Sequence, residues 1–454
     1  ITAEVYTPDL PPRATLLLFH QSGSSRGEFR QIAPRLVAAG FEAIAVDLRW
    51  GGTHRASGVV NETARRHGTD SIMALANAGD RRLVWPTIFA AHDDLLAAID
   101  WARDRPNSGP LVVVGSSFSA MLALKAANDS PLAGMVAYSP GEYFGEDSTL
   151  ARRWAGGVRV PAHLVAAPGE EAMVETVLDA IPPTVRSYHV TDGGRHAASV
   201  LDADSLAMED LLQRLDRWFP MPPTPGRVVT LVASDGVAVH ATWYPPALDA
   251  DDAPVVLMMH QGGSSAVAEQ VRTLPRILAT GAGALLLDLR GGGDLFGGRN
   301  RTTAGSGRDW GYCEALPDLR AATGWLRTEE RRRRLILLGS SYTATLALVH
   351  AAETASGVDA VVALSPAGGE PMEGCHAEAV SDGLRIPVLI GRPSRELEIP
   401  SVAEQFATFA AQGHDTVTVV GGAHGASMLD RLRHSGDTER MWALLLTLLR
   451  GDAP

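Results

Sequence analysis

Val112-Val113-Val114-Gly115-Ser116-Ser117-Phe118 is an apolar run ending on a glycine, two serines and an aromatic ring, and Ile336-Leu337-Leu338-Gly339-Ser340-Ser341-Tyr342 repeats it. Such a run, followed by Ala-rich helical sequence, reads as a buried strand feeding a helix through a tight turn. The flanking segments recur as well. Upstream, each copy has a strand entering a His-Gln loop, Leu16-Leu17-Leu18-Phe19-His20-Gln21-Ser22-Gly23-Ser24-Ser25 and Val256-Leu257-Met258-Met259-His260-Gln261-Gly262-Gly263-Ser264-Ser265. Downstream come an apolar run reaching Glu171 or Glu396, and then a histidine behind a glycine pair, Gly193-Gly194-Arg195-His196 and Gly421-Gly422-Ala423-His424. One four-part order found twice makes internal duplication the organising fact of the chain.

The 454 residues therefore divide into two α/β domains, expected at 1–219 and 227–454. The joint Phe219-Pro220-Met221-Pro222-Pro223-Thr224-Pro225-Gly226 holds four prolines and sustains neither helix nor central strand. In copy one the strands read Thr15–Phe19, Ala43–Val46, Leu111–Val114, Gly134–Tyr138, Ala162–Ala166 and Val185–Val190. In copy two they read Val255–Met259, Ala284–Leu287, Leu335–Leu338, Ala360–Leu364, Val388–Ile390 and Thr416–Val420. Helical stretches such as Thr87–Arg103 and Leu316–Arg327 alternate with them. Continuous apolar strands between helices predict a mostly parallel, twisted sheet covered on both faces in each half. Copy two opens with a hairpin, Val228–Leu231 and Val237–Tyr244, of which copy one keeps only the second strand, Ile1–Tyr6, as though its N-terminus were truncated.

A net charge of −12 argues against a nucleic-acid or anionic-membrane surface. No apolar stretch approaches the length of a membrane span. The run Arg331–Arg334 reads as a solvated helix end. Two cysteines, Cys313 and Cys375, make no disulfide framework, although they could pair. The cytoplasm is the expected compartment, with export the alternative because of the abrupt N-terminus. No His/Cys/Asp cluster has metal-ligand spacing, so neither metal nor cofactor is expected.

The motifs point to acyl transfer. A G-x-S-x-small turn holds its central serine on a strained bend with the hydroxyl exposed, which makes Ser117 and Ser341 the expected nucleophiles. Ser119 and Thr343 replace the usual last glycine, and Thr343 is the bulkier misfit. His196 and His424 would take the serine proton, and Glu171 and Glu396, matched by aligning Pro168 with Pro393, would orient the imidazoles. Backbone N–H groups of Gln21 and Phe118, and of Gln261 and Tyr342, would form the oxyanion holes. His20 and His260 read as loop-fixing partners, and Asp47-Leu48-Arg49 and Asp288-Leu289-Arg290 as structural ties. Asn61, Thr63, Asn300 and Thr302 read as solvated loop residues or pocket lining. Copy one is longer between its His-Gln loop and its serine, mostly over Thr53–Pro86, a segment expected to form a lid or pocket wall.

At these residues the sequence resembles the α/β-hydrolase superfamily, and most closely its dienelactone-hydrolase-like serine esterases, once per half. The resemblance implies a twisted sheet of eight strands or fewer, ester cleavage without a cofactor, and an acyl-enzyme. Dienelactone hydrolases use cysteine where this chain has Ser117 and Ser341, so a small-molecule carboxylic ester is the expected substrate. Two alternatives stand beside it: one domain retained for binding or scaffolding, or acyl transfer or peptide cleavage on the same residues. Two fused like domains would also be expected to form an intramolecular pseudo-dimer.

Overall fold

Every residue of the strand Thr15–Phe19 is at most 1% exposed. That is the burial expected of an apolar run with helices on both faces. The computed structural model describes residues 1–70, 84–105, 108–143, 147–247, 253–306 and 308–451, without the side chains of residues 84 and 85. It forms two compact units, Ile1–Pro220 with Phe296–Gly298, and Met221–Leu295 with Arg299–Pro454. Residues 71–83 of the longer segment in copy one lie outside the described residues.

The first unit holds β1 (Thr2–Tyr6), β2 (Thr15–Phe19), β3 (Glu42–Asp47), β4 (Leu111–Ser116), β5 (Gly134–Tyr138), β6 (Ala162–Ala166) and β7 (Arg186–Val190). They form a seven-stranded sheet in the order β1-β3-β2-β4-β5-β6-β7, parallel except for β1 against β3. The second unit holds β8 (Arg227–Val232), β9 (Ala238–Tyr244), β10 (Val255–Met258), β11 (Gly283–Asp288), β12 (Leu335–Ser340), β13 (Ala360–Leu364), β14 (Val388–Pro393) and β15 (Asp415–Val419). Its eight-stranded sheet runs β15-β14-β13-β12-β10-β11-β9-β8. The hairpin β8–β9 pairs antiparallel, and β9 joins β11 as β1 joins β3.

In each sheet the chain leaves the first parallel strand (β2 or β10) for a neighbour on one side, and returns to place the serine strand (β4 or β12) on the other. Loops after these two strands diverge and open a crevice at their carboxyl ends, where open α/β sheets place their ligands. Helices Val84–Arg103 and Phe118–Asp129 pack against the first sheet around Leu17, Val113, Met135 and Leu164. Burying each such aliphatic side chain contributes on the order of 2 kcal/mol. The equivalent helices of the second unit are Leu316–Thr328 and Tyr342–Ala351.

One expectation changes, and one left open is filled. Arg331–Arg334 is not a purely solvated helix end: Arg332 is buried, and Arg334 donates to the carbonyl of Leu449, 3.0 Å away, in the last turn of helix Glu439–Arg450. The two cysteines form a disulfide, with Cα atoms 5.8 Å apart, linking the approach to helix Leu316–Thr328 with the segment beyond β13. Among the described residues no helix is long and apolar enough to cross a membrane.

Candidate active sites

Ser117 and Ser341 sit between strand and helix with φ of 59° and 58°, a left-handed conformation that is costly for a side chain with a Cβ. The turn is held from both sides. Ser117 N–H donates to Tyr138 O and Ser341 N–H to Leu364 O, each at 2.9 Å. A Cβ at Gly115 would stand 2.5 Å from the Ala120 Cα, and one at Gly339 would stand 2.5 Å from the Ala344 Cα. Only glycine fits there. Thr343 is no misfit: its hydroxyl accepts from Ser340 N–H (2.8 Å) and donates to His260 O (2.9 Å), as Ser119 does with Ser116 N–H (2.8 Å) and Phe19 O (2.7 Å). A hydroxyl at this position pins the turn to the neighbouring strand.

In the first unit a continuous chain of hydrogen bonds ends on the serine. Ser117 Oγ lies 2.8 Å from His196 Nε2, and His196 Nδ1 lies 2.5 Å from Glu170 Oε1. A carboxylate only accepts, so Nδ1 carries the proton and Nε2 is free to receive one. The acid partner is thus Glu170, not the expected Glu171, whose carboxylate accepts from Gly169 N–H at 2.7 Å. In the second unit His424 Nδ1 lies 2.6 Å from Glu396 Oε1. No hydrogen bond joins Ser341 to His424 among the described residues.

Strand register explains the correction. Tyr138 pairs with Val165, and Leu364 with Gly391, which makes Ala167 the counterpart of Pro393 and Glu170 the counterpart of Glu396. Pro168 and Pro393 are one position out of step, and aligning them shifted the acid by one residue.

Each acid is also tied to a serine that follows the next strand. Ser139 Oγ donates to Glu170 Oε2 (2.5 Å) and accepts from Ala197 N–H (2.9 Å). Ser365 Oγ does the same with Glu396 Oε1 and Gly425 N–H, both at 3.1 Å. Burial alone would raise the Glu170 carboxyl, but hydrogen bonds from Ser139, His196 and Ala167 N–H outweigh it and leave it below the usual carboxylate range. Burial likewise raises Glu396, and the hydrogen bond and charge of His424, with the Arg392 charge, bring it below that range.

The model of the family described as serine aminopeptidase, S33, matches residues 10–167. No curated protein matches the sequence. Among solved structures, an esterase of Pyrococcus furiosus is 16% identical at a TM-score of 0.36, covering 50% of this chain and 90% of its own. A dienelactone hydrolase of Anabaena variabilis is 19% identical at 0.36, covering 50% and 95%. Thermogutta terrifontis esterase 2 is 17% identical at 0.38, covering 52% and 98%. The matched stretch lies within the first unit, which is thus similar in sequence to that family.

Both His-Gln loops depart from expectation. The N–H groups of Gln21 and Gln261 point away from the serines, to Glu28 Oε2 (2.8 Å) and Glu269 Oε2 (2.7 Å). They cannot also meet an oxyanion, because one N–H makes one good bond. The next N–H groups along, of Ser22 and Gly262, have no acceptor among the described residues, nor do those of Phe118 and Tyr342, at the first helical positions.

His20 is fully engaged within its loop: Nδ1 bonds Gln21 O (2.8 Å), and Nε2 accepts from Leu48 N–H (3.0 Å) and the Asn61 amide (3.1 Å). His260 repeats this with Gln261 O, Leu289 N–H and the Asn300 amide. Burial lowers the basicity of His20. Asn61 and Asn300 are therefore buried struts. Thr63 and Thr302 accept the backbone N–H groups of Thr2 and His240 instead of lining a pocket. Asp47 and Asp288 bind backbone N–H groups of Arg26 and Ala266, and Arg49 and Arg290 pair with Asp94 and Asp318.

The two candidate sites differ around these common parts. In the first, the Trp50 indole donates to Ser22 Oγ (2.9 Å). In the second, glycines 262 and 291 stand at those positions, and Tyr312 fills the space, stacked on Tyr342 with ring centroids 4.5 Å apart. A Cβ at Gly262 would meet the Tyr312 hydroxyl at 2.3 Å, so the two arrangements exclude each other. Only the first site has Tyr143, whose hydroxyl donates to Ser139 O (2.5 Å) beside Ser117.

Proposed function

We propose that each domain cleaves carboxylic esters through an acyl-enzyme, with Ser117, His196 and Glu170 in the first and Ser341, His424 and Glu396 in the second. The observation that carries this reading is the unbroken chain from Ser117 Oγ through His196 to Glu170, at 2.8 and 2.5 Å, ending on a serine with positive φ. Ser117 Oγ attacks the ester carbonyl carbon as its proton passes to His196 Nε2. The carbonyl oxygen becomes an oxyanion, met by the N–H groups of Phe118 and Ser22, or of Tyr342 and Gly262 in the second site. Collapse breaks the bond to the alcohol, which leaves with the proton from Nε2. Water then repeats the sequence on the acyl-serine, its proton passing to His196 and back to Ser117. Each oxyanion donor supplies on the order of 3 kcal/mol of transition-state stabilisation.

A p-nitrophenyl acyl ester should give a burst, and a fluorophosphonate probe should label Ser117 and Ser341. Ser117→Ala and Ser341→Ala should each retain part of the activity, and the double variant none. Failure of both serines to react would end this reading. A second reading, in which the second domain mainly binds, is favoured by the missing Ser341–His424 hydrogen bond. Catalytic hydrogen bonds often close only around substrate, so labelling of Ser341 decides between the two. Turnover of an aminoacyl p-nitroanilide in preference to the ester would move the chemistry to peptide cleavage.

A further inference from the structure

Two buried carboxyl groups, Glu28 and Glu269, have no part in the mechanism above. They are 4% and 1% exposed. Glu28 Oε2 accepts from Gln21 N–H (2.8 Å), and its Oε1 accepts from Ser116 Oγ at 2.6 Å. Ser116 Oγ in turn accepts from Ala198 N–H (3.1 Å), two residues beyond His196. The second domain repeats the set: Gln261 N–H to Glu269 Oε2 (2.7 Å), Ser340 Oγ to Oε1 (2.5 Å), and Ala426 N–H to Ser340 Oγ (2.8 Å). One carboxyl group thus joins the His-Gln loop, the residue before the reactive serine, and the histidine loop.

In the ionised form both carboxylate oxygens accept, Oε2 from Gln21 N–H and Oε1 from Ser116 Oγ–H, while Ser116 Oγ accepts from Ala198 N–H. A proton on Oε1 would reverse the Ser116 bond, deprive that hydroxyl's own proton of this acceptor, and leave Gln21 N–H on a weaker, neutral acceptor. The two copies reach this arrangement by different local routes. Glu28 lies in a 3-10 turn, Arg26–Phe29, seven residues past Gln21, whereas Glu269 lies in an α-helical turn, Ala266–Gln270, eight past Gln261. An inserted residue was absorbed by a change of helix type while the carboxylate kept both contacts. The charged or titratable group acting on Glu28 across the turn is His196, and on Glu269 it is the half-buried Arg433.

We propose that Glu28 and Glu269 are positioning residues: each, as a carboxylate, holds the oxyanion loop, the serine turn and the histidine loop in register, and protonation of Glu28 loosens the oxyanion loop of the first site. With Gln21 N–H turned inward onto Glu28, the peptide that follows is oriented so that Ser22 N–H faces the crevice. The inference rests on the serine-hydrolase reading. Burial, the largest influence, pushes the Glu28 carboxyl up to about 7 against its Ser116 and Gln21 hydrogen bonds, which brings the switch into the working range of pH.

The test uses the full chain with one site silenced. In the Ser341→Ala background, Glu28→Gln keeps the shape but removes the charge, and its amide N–H group replaces the oxygen that accepts from Ser116 Oγ–H. It should lower kcat about 10- to 100-fold, the scale of a misplaced oxyanion donor, with KM changed less than two-fold. The acid limb of log kcat against pH should fall from a slope approaching two, for imidazole and carboxyl together, to a slope of one. A merely structural glutamate would not alter that slope. Glu269→Gln in the Ser117→Ala background gives the same kcat and KM test independently, should Glu28→Gln fail to fold. Folded variants of both that keep kcat within two-fold, with an unchanged acid slope for Glu28→Gln, would overturn the proposal while fluorophosphonate labelling of both serines persisted. Loss of labelling in the unmodified chain would instead remove the hydrolytic reading and this one with it.

Discussion

Glu170→Gln, made in the Ser341→Ala background, separates the charge of the proposed acid from its shape. With Glu170 Oε1 2.5 Å from His196 Nδ1, an imidazolium and the carboxylate stand about 4 Å apart between charge centres. At an effective dielectric constant near 20, that attraction is about 4 kcal/mol. The His196 side chain is 43% exposed, so water screens the pair, and about half, roughly 2 kcal/mol, is the realistic share. Glutamine forfeits that share and should lower kcat for a p-nitrophenyl ester about 30-fold. Alanine also frees the imidazole to rotate and should cost on the order of 10²- to 10³-fold. Glu171→Ala, which removes only a bond to Gly169 N–H, should stay within two-fold. A ten-fold loss on changing Glu171, or a Glu170→Gln enzyme within three-fold of its parent, would refute the assignment.

Other outcomes follow from the same contacts. Glu28 titrates near 7 in the folded chain and near 4.3 unfolded, so the folded state holds the extra proton between those values. Its contribution to stability is full below the unfolded value and is lost as pH rises through 7, by about 3 kcal/mol. Urea unfolding of Glu28→Gln should therefore show a shallower fall in stability from pH 5 to 8 than the parent chain, and parallel curves would refute this. The Cys313–Cys375 bridge spans 62 residues, a loop whose closure contributes about 4 kcal/mol, so reduction should lower one calorimetric transition and leave the other in place. Thr343→Val strands the N–H of Ser340 and should destabilise by about 2 kcal/mol in chemical denaturation, whereas Thr343→Ser should be near neutral.

The sheet was legible because its strands are continuous apolar runs. Thr15–Phe19, Gly134–Tyr138, Ala162–Ala166 and Ala360–Leu364 fall at their expected ends, and the others differ by a few residues. The serines and histidines were legible because their glycine contexts repeat. Single-residue offsets were not. A shared proline outweighed strand register at the acid, and the direction in which the Gln21 peptide faces depends on a carboxylate seven residues away. Ser139 and Ser365 had a usable signal, a Ser-Pro pair after β5 and β13 in both copies. Glu28 and Glu269 were concealed by their unequal spacing. Tyr143 and Arg392 carry no repeat signal, because their counterparts are Gly369 and Ala166.

Arg392 and its neighbour Pro393 form a coupled pair. Glu170 Oε2 is held partly by the N–H of Ala167, at 3.2 Å, but Pro393 at the matching position of the second domain has no N–H to offer. There the Arg392 guanidinium takes over, 2.9 Å from Glu396 Oε2, itself anchored by Pro366 O and Gln405. Pro393 removes the backbone donor that Ala167 supplies, and Arg392 supplies another in its place. Changing either residue alone leaves a carboxylate oxygen or a guanidinium without its partner, whereas changing both reproduces the wiring of the first domain. The two halves of this chain are no longer interchangeable by single steps, and each has become committed to its own version of the same corner.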